Sequence, residues 1–171
     1  MRTKRALRQQ AEARRRALPP PLLDDALSEV LAAASRVAAY VAVGDEPRVT
    51  VQPGWLLPVV TPDADLDWAE YDGRLTARKG LQEPAGPLLG PAALAGCDLV
   101  LVPALLVDRS GARLGKGLGC YDRALPRTAG LTVALLHDHE LVDALPSEPH
   151  DVRVAAVATP SLGFVRLFAK M

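Results

Sequence analysis

The chain has few cysteines and no long apolar run, and each shortage excludes a class of protein. Its two cysteines, Cys97 and Cys120, show no CxxC spacing, which fits a reducing compartment. No apolar stretch approaches the roughly 20 residues that a membrane-spanning helix needs. None follows the basic N-terminus, as a signal peptide would require. We therefore expect a cytoplasmic protein with no membrane contact.

The sequence also lacks net charge, internal repeats and heptads. A formal net charge of +0 argues against a protein built mainly to bind nucleic acid. This balance hides a basic start, however, because the first sixteen residues contain only one acid, Glu12. Such a start also occurs in mitochondrial transit peptides, although those are rich in Ser. RNA binding through this segment is a weaker alternative, because no aromatic-rich platform accompanies it.

The 171 residues, 49% of them hydrophobic, predict one domain spanning residues 1–171. Apolar segments of strand length alternate with segments of helical periodicity, which predicts an α/β fold with a three-layer sheet. Helices are predicted over residues 3–17 and 22–35. Strands are predicted over residues 37–43, 55–60, 67–71, 99–107, 131–136, 155–160 and 164–168. Trp68 and Tyr71 are interpreted as packing residues.

The stretch from Asp98 to Leu125 carries the strongest sign of function. After the apolar run, cations alternate with glycines before a helix predicted over residues 121–127. Glycines let backbone N–H groups approach an oxyanion, a helix N-terminus adds partial positive charge, and Arg and Lys neutralise the rest, so the pattern predicts phosphate binding. A lone carboxylate beside the loop, Asp122, suits Mg²⁺.

The glycine spacing leaves an alternative open. Gly115-x-Gly117-x-Gly119 matches neither the dinucleotide fingerprint nor the P-loop. A flexible glycine turn with solvated Arg and Lys side chains would give the same composition.

At these residues the sequence resembles a known family. Residues 113–123 read RLGKGLGCYDR and resemble the RLGxGxGxYDR signature of the 5-formyltetrahydrofolate cyclo-ligases, also called methenyltetrahydrofolate synthetases. Residues 4–8 resemble the family's K-R-x-x-R segment. The resemblance implies a Rossmann-like fold and ATP- and Mg²⁺-dependent conversion of 5-formyltetrahydrofolate to 5,10-methenyltetrahydrofolate. We expect a monomer.

The resemblance also implies roles for individual residues. Lys116 and Arg113 would be catalytic, and Asp122 would hold Mg²⁺. Substrate contacts would be Val41, Glu46 and Tyr121, although Glu46 and the preceding Asp45 could equally be turn formers at a strand end. The residues implied in ATP binding are Lys4, Arg5, Arg8, Arg113, Leu114, Gly115, Lys116, Gly117, Leu118, Gly119, Cys120 and Tyr121.

The chain departs from the family pattern at three places. Residues 48–54 are too few for the helix that normally connects two parallel strands, so the first crossover helix is missing or the connection is irregular. Ala155 stands where the family has a second aspartate that helps hold Mg²⁺, which predicts weakened metal affinity. Cys120 replaces an aromatic residue. These departures keep open a second hypothesis, a binding protein that has lost turnover.

Two other segments give weaker indications. Residues 137–140, His-Asp-His-Glu, could suggest a metal site, but alternation at a strand end points side chains to different faces and favours a polar loop. Residues 80–87 resemble the family's GIxEP segment and predict a proline-glycine loop that lines the cleft.

Overall fold

The computed structural model describes residues 1–167, which contain a seven-stranded sheet. The helices are α1 (Lys4–Arg16), α2 (Asp24–Ala33) and α3 (Cys120–Ala124), with short 3-10 helices at Pro91–Gly96 and Leu125–Arg127. The strands are β1 (Val37–Ala38), β2 (Leu56–Val60), β3 (Leu66–Glu70), β4 (Leu75–Arg78), β5 (Leu81–Pro84), β6 (Leu99–Pro103), β7 (Leu106–Asp108), β8 (Arg113–Leu114), β9 (Leu131–Leu135), β10 (Leu141–Val142), β11 (Ala156–Thr159) and β12 (Gly163–Arg166).

The main sheet has the strand order β12-β11-β9-β6-β1-β2-β3. Its inner strands run parallel, and each edge strand is antiparallel to its neighbour. Leu23 and Leu27 bury one face of the sheet beside α2. Trp68, Leu94 and Leu125 lie in the core on the other face, where α3 and the 3-10 helices pack. The predicted three-layer α/β architecture is confirmed.

Helix α1 packs away from the main sheet, against a small sheet of order β10-β7-β8. The Thr3 hydroxyl caps it by accepting a hydrogen bond from the Ala6 N–H. Ala11 is buried with Leu106 and Leu114 of the small sheet. This packing fixes which face of α1 points toward the glycine-rich segment.

The first crossover lacks its helix, as one of the two sequence-based alternatives predicts. β1 and β2 pair in parallel, yet residues 39–55 between them form turns and extended backbone. The segment is instead tied to the chain before α2, because Arg48 exchanges backbone hydrogen bonds with Pro21 and Leu23. Asp24 adds bonds to the backbone N–H and hydroxyl of Thr50.

Two strand predictions were wrong in extent, and the loop predicted over residues 80–87 contains a strand. The strand predicted over 37–43 ends at Ala38, and the chain then forms a turn in which the Glu46 N–H bonds the Val43 carbonyl. The apolar run 99–107 is divided between β6 and β7, and Pro103, which has no N–H to donate, ends the pairing with β9. Residues 80–87 are not simply a loop, because β5 forms a hairpin with β4.

The remaining element predictions fare better. β12 confirms an edge strand over most of residues 164–168, although Phe168 lies outside the described residues. Helix α3 begins close to the predicted position but has only 5 residues, so its dipole contributes less to anion binding than the sequence suggests. No helix within residues 1–167 is long and apolar enough to cross a membrane.

Candidate functional site

A cavity of about 550 Å³ lies between α1, the glycine-rich segment and the chain after β1. We call residues 113–122 the glycine loop and residues 43–47 the Glu46 turn. Apart from Arg5, which is exposed on α1, every residue predicted for the site lines this cavity. These are Lys4, Arg8, Val41, Glu46, Arg113, Leu114, Gly115, Lys116, Gly117, Leu118, Gly119, Cys120, Tyr121 and Asp122.

Two glycines of the loop are required by their surroundings. A Cβ on Gly115 would lie 2.7 Å from Arg113 Nη1, closer than Cβ atoms approach their neighbours, so the guanidinium would have to shift. Gly117 has φ +100°, a backbone conformation that L side chains rarely adopt. A Cβ there would meet the Arg8 guanidinium carbon at 3.4 Å, an ordinary contact, so the backbone conformation is what favours glycine. The glycines therefore let two guanidinium groups lie directly against the loop backbone.

Arg113 is the most constrained cation of the cavity. Its side chain is 5% exposed, and its Nη2 lies 3.3 Å from Asp122 Oδ1. Its Nη1 donates to the Pro103 carbonyl, and the guanidinium lies 5.7 Å from the centre of the Tyr121 ring. Arg113 Nε and the Tyr121 hydroxyl are both buried without a hydrogen-bond partner within residues 1–167. This wall of the cavity thus holds polar atoms whose bonding capacity is unused.

Helix α1 contributes cations from one face. Lys4 Nζ lies 2.9 Å from Asp151 Oδ2, at the far end of the chain. Arg8 Nε donates to the Gly115 carbonyl at 2.8 Å, which joins α1 directly to the glycine loop. Among the described residues Arg8 forms no ion pair, so its charge is the one most open to a bound anion.

The Glu46 turn forms the opposite wall. Glu46 is 8% exposed, and its Oε2 accepts a hydrogen bond from the Val43 N–H at 2.9 Å. Its Oε1 lies 3.1 Å from Lys116 Nζ, so the predicted substrate carboxylate and the predicted catalytic cation pair across the cavity. The Tyr40 hydroxyl donates to the Pro47 carbonyl at 2.7 Å. Burial raises the pKa of Tyr40, and the Glu46 carboxylate raises it further, so the phenol remains a donor.

Sequence reasoning missed Arg15 and Tyr40, which also line the cavity. Arg15 is 2% exposed and forms two hydrogen bonds to the Glu140 carboxylate and one to the Ala104 carbonyl. Burial would lower the pKa of Arg15, but the Glu140 carboxylate outweighs it and raises that pKa. A signal existed for Arg15, since it shares a helical face with Lys4 and Arg8. Nothing in the sequence pattern marks Tyr40.

The residues predicted as a polar loop, 137–140, prove to be partly core. His137 and Glu140 are buried, whereas His139 is exposed. They do not form a metal cluster: within residues 1–167 the geometry suited to a metal ion occurs only at Glu148, His150 and Asp151.

The Lys4 ammonium already neutralises Asp151 in that cluster, so the cluster alone does not indicate a metal site.

The sequence predicts weakened metal affinity from Ala155, but Ala155 lies away from the candidate site. Ala155 is exposed and does not line the cavity, and its N–H donates to Thr132. An aspartate at this position would not add a carboxylate to the cavity lining seen here. The structure therefore gives no support to a loss of metal affinity through Ala155.

A second cavity of about 640 Å³ lies along a different face of α1. It is lined by Leu7, Ala11, Leu18 and other residues, none of them predicted for the site. The smaller cavity, where the cations and carboxylates converge, is therefore the candidate site.

Comparisons with known proteins identify a family that resembles the chain over most of its length. The model of the 5-formyltetrahydrofolate cyclo-ligase family matches residues 1–160. A 5-formyltetrahydrofolate cyclo-ligase of Mycolicibacterium smegmatis is 44% identical over 148 residues, which cover 77% of this chain and 76% of that protein.

Two solved structures share the fold. The 5,10-methenyltetrahydrofolate synthetase of Aquifex aeolicus superposes with a TM-score of 0.74 at 22% identity, covering 98% of this chain and 94% of that one. The 5,10-methenyltetrahydrofolate synthetase of Mycoplasma pneumoniae gives 0.69 at 20% identity, with coverage of 91% and 98%.

Proposed function

Because the chain belongs to the 5-formyltetrahydrofolate cyclo-ligase family, we propose that it converts 5-formyltetrahydrofolate to 5,10-methenyltetrahydrofolate, with ATP consumed and ADP and phosphate released. One observation carries the proposal beyond membership: the cationic face of α1, the glycine loop and the Glu46 turn line one cavity. A nucleotide phosphate and a folate need to meet in such a place.

The reaction needs charge stabilisation more than covalent help from the protein. The formyl oxygen is a poor leaving group, and transfer of the γ-phosphoryl group onto it makes it a good one. N10 then attacks the formyl carbon and releases its proton, the ring closes, and phosphate leaves with that oxygen. Catalysis of this kind consists mainly of positioning and of stabilising charge on the transferred group.

Arg113 and Lys116 would supply that charge in different ways. Arg113 is fixed by its bonds to Pro103 and Asp122, so its guanidinium needs little reorganisation when charge develops. Lys116 is 51% exposed, and its ammonium can leave Glu46 for a phosphoryl oxygen. We assign electrostatic stabilisation of the transferred phosphoryl group to both.

Helix α1 would hold the nucleotide. Arg8 lies against the loop backbone with no carboxylate partner among the described residues, which suits a phosphate contact. Lys4 would reach the same anion by exchanging Asp151 for it. Arg5 is exposed outside the cavity lining, so we propose no direct contact for it.

The other wall would hold the folate. Val41, Glu46 and Tyr121 line that side, and a buried carboxylate can accept hydrogen bonds from the N–H edge of a pterin. Burial raises the pKa of Tyr121, although Arg113 opposes the shift, so its hydroxyl, which has no hydrogen-bond partner within residues 1–167, is a neutral donor for the substrate.

The donor set near the glycine loop fits Mg²⁺. The Asp122 carboxylate lines the cavity, and only its Oδ1 is engaged by Arg113. Mg²⁺ favours one or two carboxylates together with phosphate oxygens and water. We propose Asp122 as its protein ligand, and the bound ion would neutralise negative charge on the ATP phosphates.

The proposal is tested by measuring methenyl product by absorbance in the presence of ATP and Mg²⁺. Lys116→Ala should lower kcat/KM about 100-fold, a typical loss for an electrostatic stabiliser. The free energy of unfolding in urea should change little, because the side chain is half exposed. Lys79→Ala removes an exposed lysine outside the cavity and is the matched control.

Absence of product from the wild-type protein at high concentration would overturn the proposal. Equal loss of fold and activity in Lys116→Ala would remove the role assigned to that lysine.

A nucleotide- or folate-binding protein without turnover is the second candidate. It is favoured by the ion pairs that engage Lys4, Lys116 and Arg113 with carboxylates of the protein itself. Calorimetry that detects ATP binding without product formation would support it. Three cations of the basic segment line the cavity, which weakens the case for RNA binding. The monomeric state, the cytoplasmic location and the single domain over residues 1–171 stay predictions.

A further inference from the structure

The Glu46 turn carries its glutamate into the cavity although no crossover helix supports it. The residue before Glu46 in this turn is Asp45. The His137 ring donates a hydrogen bond from Nε2 to the backbone carbonyl oxygen of Asp45, at 2.7 Å. We propose that His137 is a positioning residue that holds the Glu46 turn in the geometry needed for the folate. This inference rests on the proposed function, because it is the proposed function that makes Glu46 a contact for the folate.

The contact itself fixes the state of the histidine. A carbonyl oxygen only accepts hydrogen bonds, so His137 Nε2 must carry a proton. His137 is 4% exposed, so its ring cannot swing away into solvent without a change in packing. The bond joins positions 92 residues apart in sequence and ties the turn to the end of β9.

A buried ion pair between Arg15 and Glu140 holds the backbone of His137. The His137 backbone N–H donates to Glu140 Oε2 at 2.8 Å. The same carboxylate receives Arg15 Nε at 2.7 Å and Nη2 at 2.8 Å. Since Arg15 belongs to α1, a continuous set of hydrogen bonds runs from the proposed nucleotide helix to the proposed substrate turn.

Within residues 1–167, two other side chains bond the backbone of residues 44–47: Tyr40 through the Pro47 carbonyl and Arg48 through the Gly44 carbonyl. A single neutral hydrogen bond contributes about 1 kcal/mol. Asp45 is partly exposed and its carbonyl can bond water instead. Loss of the His137 bond should therefore leave the fold intact while allowing the turn to shift, and small displacements of a substrate contact are costly.

The test is His137→Leu, which keeps an apolar side chain in the core and removes the donor. We expect KM for 5-formyltetrahydrofolate to rise about 10-fold, with KM for ATP within about two-fold of wild type. His137→Gln, whose amide can donate again, should return KM for the folate to within about three-fold of wild type. His139→Leu makes the same change at an exposed position of the same loop and should behave as wild type.

Several results would overturn the inference. An unchanged KM for the folate in soluble, folded His137→Leu would do so, and so would equal rises in both KM values. If that variant does not fold, Tyr40→Phe removes the neighbouring bond on the same turn, and it should raise KM for the folate alone. A wild-type KM for the folate in that variant would then count against the inference.

The inference can fail separately from the proposed function. If the wild-type protein forms no product, amide hydrogen exchange still reports on the turn. The Val43 and Glu46 amides bond within it, and their exchange should accelerate about 10-fold in His137→Leu but not in His139→Leu. Unchanged exchange in both variants would reject the positioning role.

Discussion

The glycine loop and the Glu46 turn face each other across the cavity, yet different kinds of contact hold them. The loop has internal contacts, since Arg113 lies against Gly115 and bonds Asp122, nine residues away, and Arg8 adds a bond from α1. The turn has local bonds between Val43 and Glu46, but it is also held by His137, 92 residues away, and no helix connects it to β2. Local contacts leave a pattern in the sequence, whereas distant ones leave almost none.

The largest effect is expected from breaking the local geometry of the glycine loop with Gly115→Ala. The added Cβ would push the Arg113 guanidinium away from Asp122 and Pro103, because it would lie 2.7 Å from Nη1. We expect kcat/KM to fall about 100-fold, as when a preorganised cation is lost. The free energy of unfolding should fall by about 1–2 kcal/mol, because a nearly buried side chain must shift.

Gly96→Ala is the matched control for this prediction. Its Cβ would meet Arg36 only at ordinary van der Waals distance, 3.8 Å, in a backbone conformation that alanine adopts. Rates of methenyl formation and urea midpoints should stay at wild-type values. Wild-type rates in Gly115→Ala would show that the position of Arg113 is unimportant for the chemistry.

The same contrast explains what could be predicted from the sequence. The alternation of Gly115, Gly117 and Gly119 with cations predicts a loop whose residues do line one cavity. The spacing of Lys4 and Arg8 predicts a shared face of α1, because helical periodicity is a local property.

The contacts that depend on tertiary packing could not be predicted in this way. His137 and Glu140 are buried, and the Glu140 carboxylate is paired there with Arg15 of α1. No sequence pattern near residue 137 predicts this long-range pair. The division of the 99–107 run into β6 and β7 depends on which strands pair with it, β9 or β10. Apolar periodicity alone does not distinguish one buried strand from two.

An intermediate effect is expected from Tyr121→Phe, which removes one hydroxyl oxygen and tests whether it contacts the folate or the nucleotide. The hydroxyl is buried without a partner in residues 1–167, so its removal should leave the free energy of unfolding unchanged or slightly higher. If the hydroxyl bonds the folate, KM for the folate should rise about 3–10-fold while KM for ATP stays constant. Tyr71→Phe, outside the cavity, should change neither. A higher KM for ATP alone would place this hydroxyl on the nucleotide side.

The smallest effect concerns how each wall is anchored. The 3-10 helix that follows α3 is fixed by Arg127, whose Nη1 and Nη2 bond the two carboxylate oxygens of Asp65 at 2.7 and 2.6 Å. The hydrogen bonds from Arg127 lower the pKa of Asp65 to about 2, although burial acts to raise it. The side-chain bonds that Tyr40 and His137 make to the Glu46 turn involve no carboxylate, whereas the Asp65–Arg127 pair adds an acid-sensitive contact on the glycine-loop side.

The sign of the pH effect follows from the lowered pKa. The folded protein keeps Asp65 ionised down to about pH 2, whereas an unfolded aspartate protonates near pH 4, so the pair stabilises the fold above about pH 4 and loses that contribution between about pH 4 and 2. Urea unfolding should show about 1 kcal/mol more acid destabilisation in wild type than in Arg127→Gln, since the pair is partly exposed. Arg109→Gln, which breaks an exposed pair with Asp143, should follow the wild-type profile. Identical profiles for wild type and Arg127→Gln would mean that charge does not anchor this side of the cavity.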